Sequence, residues 1–392
     1  MVLNILHFSR TPLAGAPIRL VRALQKHTGY NAHLVDLKRL GIYDHDIVLS
    51  ENPELVMELA KDADIIHLHN YLDYNSTDFF PINFHELHNE GKIFVRQFHS
   101  HPQLVAREMK ISVKDLLDSP IPPLVIAQFQ ERYYPKARVV PNIIPQDDPP
   151  YKPSPGDPSE SIFFSPSAKD SILSDRWNTK GAYETIKALN KVSKKTGCPL
   201  KIVSGKPLDQ VLNGKSQAKI VVDELVTGSY HLSGLEGLSL GKPVFAYLDP
   251  RVDYVLREIS GAKVSPFINI RLEDVFDVMV DLLHHPDTSY EIGKTSRKWI
   301  EQHWSDRELI KHYEDVYKKL LVDPTTITRQ ESLSLSNPAT SYRSVNIPDQ
   351  IHSSRFKKYN GYFSRARFSI DENTVRAKNA ILSQLMKIKH AL

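Results

Sequence analysis

Apolar and polar positions along the chain fall into two alternating series. In the first 130 residues the apolar runs "MVLNILHF", "NAHLVDL", "ADIIHLH", "KIFVRQF" and "LVIAQ" are separated by stretches of helical period. The stretch "APIRLVRALQKH", between the first two, places Ile18, Leu20, Val21 and Leu24 on one stripe of a helix. Continuous apolar strands alternating with helices predict a parallel, doubly wound sheet covered on both faces. A second series follows residue 160: "SIFFSPS", "LKIVSG", "AKIVVDEL", "KPVFAYL" and "AKVSPF" read as strands, with "GAYETIKALNKVSKKT" and "LEDVFDVMVDLLHH" as helices among them.

Seven prolines from Pro141 to Pro158 interrupt the two series. That density continues neither a helix nor a central strand, and it reads as an interdomain linker. The predicted architecture is α/β: two Rossmann-like domains, 1–147 and 148–305, facing a cleft. A helix over 306–322 and an extension over 323–392 follow. The extension is rich in Ser, Thr and Asn and closes on "DENTVRAKNAILSQLMKIKHAL", with acids at the start and bases at the end of a helical pattern.

Composition narrows the class. Fifty basic against 46 acidic residues leave +4, which excludes a global field for nucleic acid or membrane. Basic character is local: from residue 351 onward there are nine Lys or Arg against Asp371 and Glu372. Such an arm packs on its own or a neighbouring subunit of a homo-oligomer, or contacts an anionic lipid surface as a peripheral membrane element. No nucleic-acid module accompanies it. The single Cys198 excludes an internal disulfide framework and a four-cysteine zinc site. No basic leader and no membrane-length apolar run are present, so the expected location is cytoplasmic, soluble or peripheral at the inner face of the membrane.

Open α/β sheets bind ligands at strand-to-helix turns. In "GSYHLSGLEGLSLGK", small residues open a short helix whose free N–H groups, at Ser233 and Gly234, favour phosphate. Glu236, in its first turns, suits a pair of ribose hydroxyls. In "FFSPSAKDSILSDRWNTKGAYETI" the loop carries Ser167 and the cations Lys169, Arg176 and Lys180, suited to a diphosphate. Gly205 closes the following strand and joins the phosphate-side candidates. The first domain offers Gly15, at a turn that is not G-x-G-x-x-G, and strand-end histidines His67, His69, His99 and His101. No pair has the H-E-x-x-H spacing, so no metal is expected, and the imidazoles are expected to bind sugar hydroxyls or carry protons.

Together these segments resemble the retaining, GT-B fold glycosyltransferases of the family 4 type. "LEGLSLGKPVFA" is similar to the E-x-M-x-x-G-K-P-V signature, "WNTKGAYETIKAL" to the phosphate-binding Lys-Gly turn, "VVPNII" to the segment before the interdomain crossing, and "FVRQFHSHP" to the turn holding a histidine near the transferred sugar. The helices closing at residue 322 resemble those that cross back to the first domain. The resemblance implies sugar transfer from a nucleotide diphosphate sugar to a carbohydrate or lipid-linked acceptor, with no metal. His99, Lys180 and Arg176 would be catalytic, Glu236 would hold ribose, and Tyr230 and His231 would contact sugar. Glu236→Ala is expected to weaken nucleotide binding without unfolding. The family commonly has a second glutamate eight positions before Glu236, where this chain has Gly228. Two other readings remain: a nucleotide-sugar 2-epimerase, and a non-catalytic carbohydrate-binding or assembly protein.

Overall fold

The computed structural model describes residues 2–154, 161–166 and 180–324, all within one compact unit, Met1–Leu333. Ser167, Lys169, Arg176 and the basic extension from 325 lie outside the described residues.

The first sheet has seven strands: β1 (Asn4–Ser9), β2 (Asn31–Asp36), β3 (Ile47–Val48), β4 (Ile65–His69), β5 (Ile93–Phe98), β6 (Pro123–Ile126) and β7 (Arg138–Val140). Their order is β3-β2-β1-β4-β5-β6-β7, with every pair parallel. Five helices connect them: α1 (Ala16–His27), α2 (Pro53–Asp62), α3 (Phe84–Asn89), α4 (Pro102–Met109) and α5 (Val113–Leu117). Helix α1 begins where Gly15 takes the left-handed conformation (φ +79°) and Pro17 supplies a preset φ. Its stripe of Leu20, Val21 and Leu24 is buried against Ile5, Ile65 and Val95 of the sheet.

The second sheet, β12-β11-β10-β8-β9, is likewise parallel. It comprises β8 (Ile162–Phe164), β9 (Leu200–Ile202), β10 (Ile220–Glu224), β11 (Val244–Ala246) and β12 (Ile268–Asn269). Its helices are α6 (Ala182–Thr196), α7 (Leu208–Ser216), α8 (Leu232–Ser239), α9 (Pro250–Ser260), α10 (Val275–His284), α11 (Pro286–His303) and α12 (Asp306–Val322). The segment "AKVSPF", read as a strand, is irregular, and the edge strand β12 follows it directly. Ser265 and Pro266 break the extended run, and Ser265 Oγ accepts from the Phe267 N–H.

The proline-rich crossing is packed between described elements. Ile143 and Ile144 are buried in the main core, the Asn142 carbonyl accepts from Trp304 Nε1 at 3.1 Å, and the Pro141 carbonyl accepts from the Tyr313 hydroxyl at 2.8 Å. Helix α12 lies on the first sheet, where Tyr317 reaches His67 and Arg138 of β7 pairs with Asp315.

Candidate functional site

The C-terminal edges of the two sheets meet along a seam of ion pairs. Just beyond β6, Arg132 pairs with Asp249, which follows β11. Glu131 pairs with Arg251 at the start of α9. The Ala127 carbonyl accepts from the Tyr230 hydroxyl. Tyr230, expected to touch sugar, is instead 1% exposed and packs on Phe267 and Trp304. It is a core joint between the domains, because an aromatic ring with one polar tip suits an apolar slot that ends on a carbonyl.

Glu236 stands at the centre of the seam. Its Oε1 accepts from Arg19 Nη2 of α1 at 2.5 Å, and its Oε2 from Lys215 Nζ of α7 at 2.5 Å. Lys215 Nζ also donates to the carbonyl and hydroxyl of Ser233, both at 2.9 Å. The Arg19, Lys215 and Glu236 side chains are 4%, 0% and 6% exposed. Burial alone raises the carboxyl's pKa, but the flanking Lys215 and Arg19 outweigh it and hold the group below the usual range. Removal of Glu236, expected to leave the protein folded, would strand two buried cations.

The N-terminus of α8, read as open to phosphate, already holds an internal anion. Asp223, at the end of β10, accepts from the His231 N–H at 2.6 Å and from Lys180 Nζ at 2.8 Å. A Cβ on Gly234 would lie 2.6 Å from Asp223 Oδ2, so this glycine makes room for the carboxylate. The Gly234 N–H donates back to the His231 carbonyl at 3.0 Å. Lys180, expected to meet a diphosphate, is buried at 5% exposure in a left-handed turn (φ +55°) and pairs with Asp223. Burial raises the pKa of Asp223, and Lys180 with His231 more than reverses it, holding the carboxyl well below its usual range.

Other predicted residues are more dispersed. Gly205 is exposed beyond β9 with φ +64°, and a Cβ there would meet nothing within 4 Å. His101 caps α4, accepting from the Gln103 N–H, and its ring meets Tyr133 edge-on. Gly15 abuts Tyr43, and its Cβ position lies 3.7 Å from Arg19 Nε. Gly228 has φ +81°, and a Cβ there would meet Asp249 Cβ at 3.1 Å. Gly228→Glu, which restores the family's first carboxylate, is expected to lower stability by about 1–3 kcal/mol through left-handed strain. An unchanged thermal midpoint in that variant would show that the turn accepts a side chain.

His69 and His99 belong to a larger cluster than the sequence spacing shows. The rings of His7 and His67 stack at 4.4 Å, and those of His67 and His69 at 4.6 Å. Ring nitrogens of His7, His67 and His69 lie within 4.8 Å of one another. Parallel register puts them there, since His7 pairs with His67 across β1 and β4. Burial pushes His7 and His99 down to about 3 and His67 and His69 well below the usual range, so all four are neutral at pH 7.

Arg19, Lys215, Asp223 and His7 were missed by the sequence reading. Asp223 left a signal, an acid ending an apolar strand in "KIVVDEL", and His7 left another, a lone imidazole inside "LNILHFS". Arg19 and Lys215 left none, as each resembles an ordinary helix-surface cation.

Two Rossmann-like sheets with opposed C-terminal edges, closed by a helix returning to the first domain, define the GT-B fold. No protein-family model matches the chain, and no curated protein matches it in sequence. Among solved structures it is similar to a glycosyltransferase from Rickettsia africae ESF-5, at 13% identity over 82% of this chain and 99% of that one, with TM-score 0.52. It is also similar to sucrose-phosphate synthase from Thermosynechococcus elongatus, at 11% identity over 82% of this chain and 99% of that one, with TM-score 0.51. Identities this low carry the fold and not the activity. Among the described residues no helix is long and apolar enough to cross a membrane.

Proposed function

We propose that the chain is a glycosyltransferase that moves a sugar from a nucleotide diphosphate sugar to a carbohydrate or lipid-linked acceptor with retention of configuration, in surface polysaccharide or glycoconjugate synthesis. The observation that carries the reading is the place of Glu236: a buried carboxylate in the first turns of the helix after β10, at the seam where the two sheet edges meet. Nucleotide entry is an exchange of partners. Ribose hydroxyls replace a cation on Glu236, and the diphosphate replaces Asp223 as the partner of Lys180, with Arg176 and Lys169 as further cations. Catalysis is then positioning and stabilisation of the leaving diphosphate, and it calls for no metal.

The test is thermal stabilisation by UDP, GDP, ADP and dTDP, followed by product analysis with and without acceptor. One diphosphate is expected to raise the midpoint of the wild type, and Glu236→Gln to bind it more weakly per folded molecule. Stabilisation by none of them, with no transfer product, rejects the reading; a product formed without acceptor points to the epimerase. A second reading, a non-catalytic carbohydrate-binding or assembly protein, is favoured by Asp223 lying where phosphate is expected and by the backbone requirement for Gly228. Sugar binding without nucleotide affinity selects it.

A further inference from the structure

The outer faces of two neighbouring helices in the second domain are segregated by charge. Helices α6 and α10 lie side by side on the second sheet, where Leu189 and Val192 of one share a buried cluster with Val275 and Met279 of the other. The opposite side of α6 carries Tyr183, Lys187, Lys191 and Lys194, which the helical repeat sets on one stripe. All four are exposed, Tyr183 by 58%. The opposite side of α10 carries Asp277, Val278 and Asp281, with Asp274 just ahead of them, and these too are exposed. Helix α10 contains no Lys or Arg, and the one acid of α6, Glu184, is half-buried.

Elsewhere in this domain and in α12 the charges of a helix alternate in sign and pair along it, as Arg257 does with Asp253 on α9, Arg297 with Glu301 on α11 and Lys319 with Asp315 on α12. The two stripes differ. Among the described residues Lys187, Lys191 and Lys194 pair with no acid, Asp274 and Asp277 pair with no base, and Asp281 reaches only His285, at 3.5 Å. Lys187 and Lys191 stand four positions apart, as do Asp277 and Asp281, so each stripe repels itself. Both repeat at the same pitch, about 6 Å. The sign pattern selects the partner. An anionic membrane or polymer that suits α6 is repelled by α10 beside it, and a basic partner that suits α10 is repelled by α6. A second copy of this chain satisfies both stripes.

We infer that this face is the contact between two copies of the chain, related by a two-fold axis that runs between α6 and α10 and along them. Both helices follow strands of one parallel sheet, so both start at its C-terminal edge. Rotation about that axis lays α6 of each copy on α10 of the other at matching levels. Lys187 and Lys191 then meet Asp277 and Asp281 of the second copy, and the symmetry makes the same contact again. Tyr183 and Val278 supply apolar surface among the charges. The two helices offer about 20 Å by about 20 Å, on the order of 400 Å² a side. That is below the size of a permanent interface, so the dimer is reversible and held chiefly by charge. It is independent of the transferase reading and requires no nucleotide.

The experiment is sedimentation velocity of the full chain over a concentration series. The wild type is expected to dimerise reversibly, with a dissociation constant that rises about tenfold or more between about 0.05 M and about 0.5 M salt. Two charge reversals locate the contact: Lys187→Glu with Lys191→Glu, and Asp277→Lys with Asp281→Lys. Each double variant is expected to be monomeric alone, because like stripes then face each other. An equimolar mixture of the two is expected to dimerise, since one copy is acidic on both helices and the other basic on both. The chain carrying all four substitutions is expected to dimerise by itself. Should a double variant not fold, the single reversals Lys191→Glu and Asp281→Lys are read in the same way. A wild type that stays monomeric at every concentration and salt overturns the inference. So does a dimer that survives either reversal, which puts the contact elsewhere in the chain, and so does loss in both variants with no recovery in their mixture.

Discussion

Glu236→Gln is expected to cost about 3–5 kcal/mol of unfolding free energy, the range for breaking a buried ion pair by removing one partner. The two cations it strands respond differently. Lys215 is already lowered by burial and sheds its proton when its carboxylate partner is lost. Arg19 cannot deprotonate; its Nε and Nη1 already lack hydrogen-bond partners, so most of the cost falls on it. The double variant Arg19→Met with Glu236→Gln should therefore recover much of the loss. Urea unfolding of the four forms checks this, and a single-variant loss under about 1 kcal/mol would mean that water reaches the seam and screens the pair.

Asp223→Asn is expected to have the next largest effect, about 3 kcal/mol at pH 7, because Lys180 is then buried without its counter-charge. The pH dependence identifies the source. The folded carboxyl lies well below its ordinary value of 3.8, so its contribution is complete above that value and disappears as pH falls through the folded one. The gap between wild type and variant should hold from pH 7 to about 4 and shrink only in more acid solution. A gap that is already closing at pH 6 would show that the effect does not come from the Asp223 carboxylate. If the transferase reading holds, the same variant frees Lys180 and the α8 N-terminus, and diphosphate should bind it more tightly per folded molecule.

Periodicity made most of the architecture legible. Long apolar strands and the α1 stripe appear at the expected positions because burial on both faces leaves little choice of residue. The two-residue β3 and three-residue β7 escaped because neither is long enough to show a period. At the site, local motifs located Glu236 and Lys180 but not their partners. Arg19 and Glu236 are 217 positions apart, and nothing in either neighbourhood announces the other. Tyr230 was misread for a related reason: its slot is built by Ala127, Phe267 and Trp304, residues that only the fold assembles. The phosphate expectation at Gly234 overlooked that a short helix can be capped by an acid from its own preceding strand.

The position of α12 has a consequence for biosynthesis. Ile310, Tyr313, Val316, Tyr317 and Leu320 complete the core over α1 and the first sheet, yet they leave the ribosome after the whole second domain. The earliest part of the chain to emerge is thus among the last to be finished. Until then it must shelter an uncovered apolar face and a row of neutral histidines lacking Tyr317. A nascent chain halted before residue 306 should be a strong client for chaperones, and release of α12 should mark the moment at which the first domain becomes resistant to proteases.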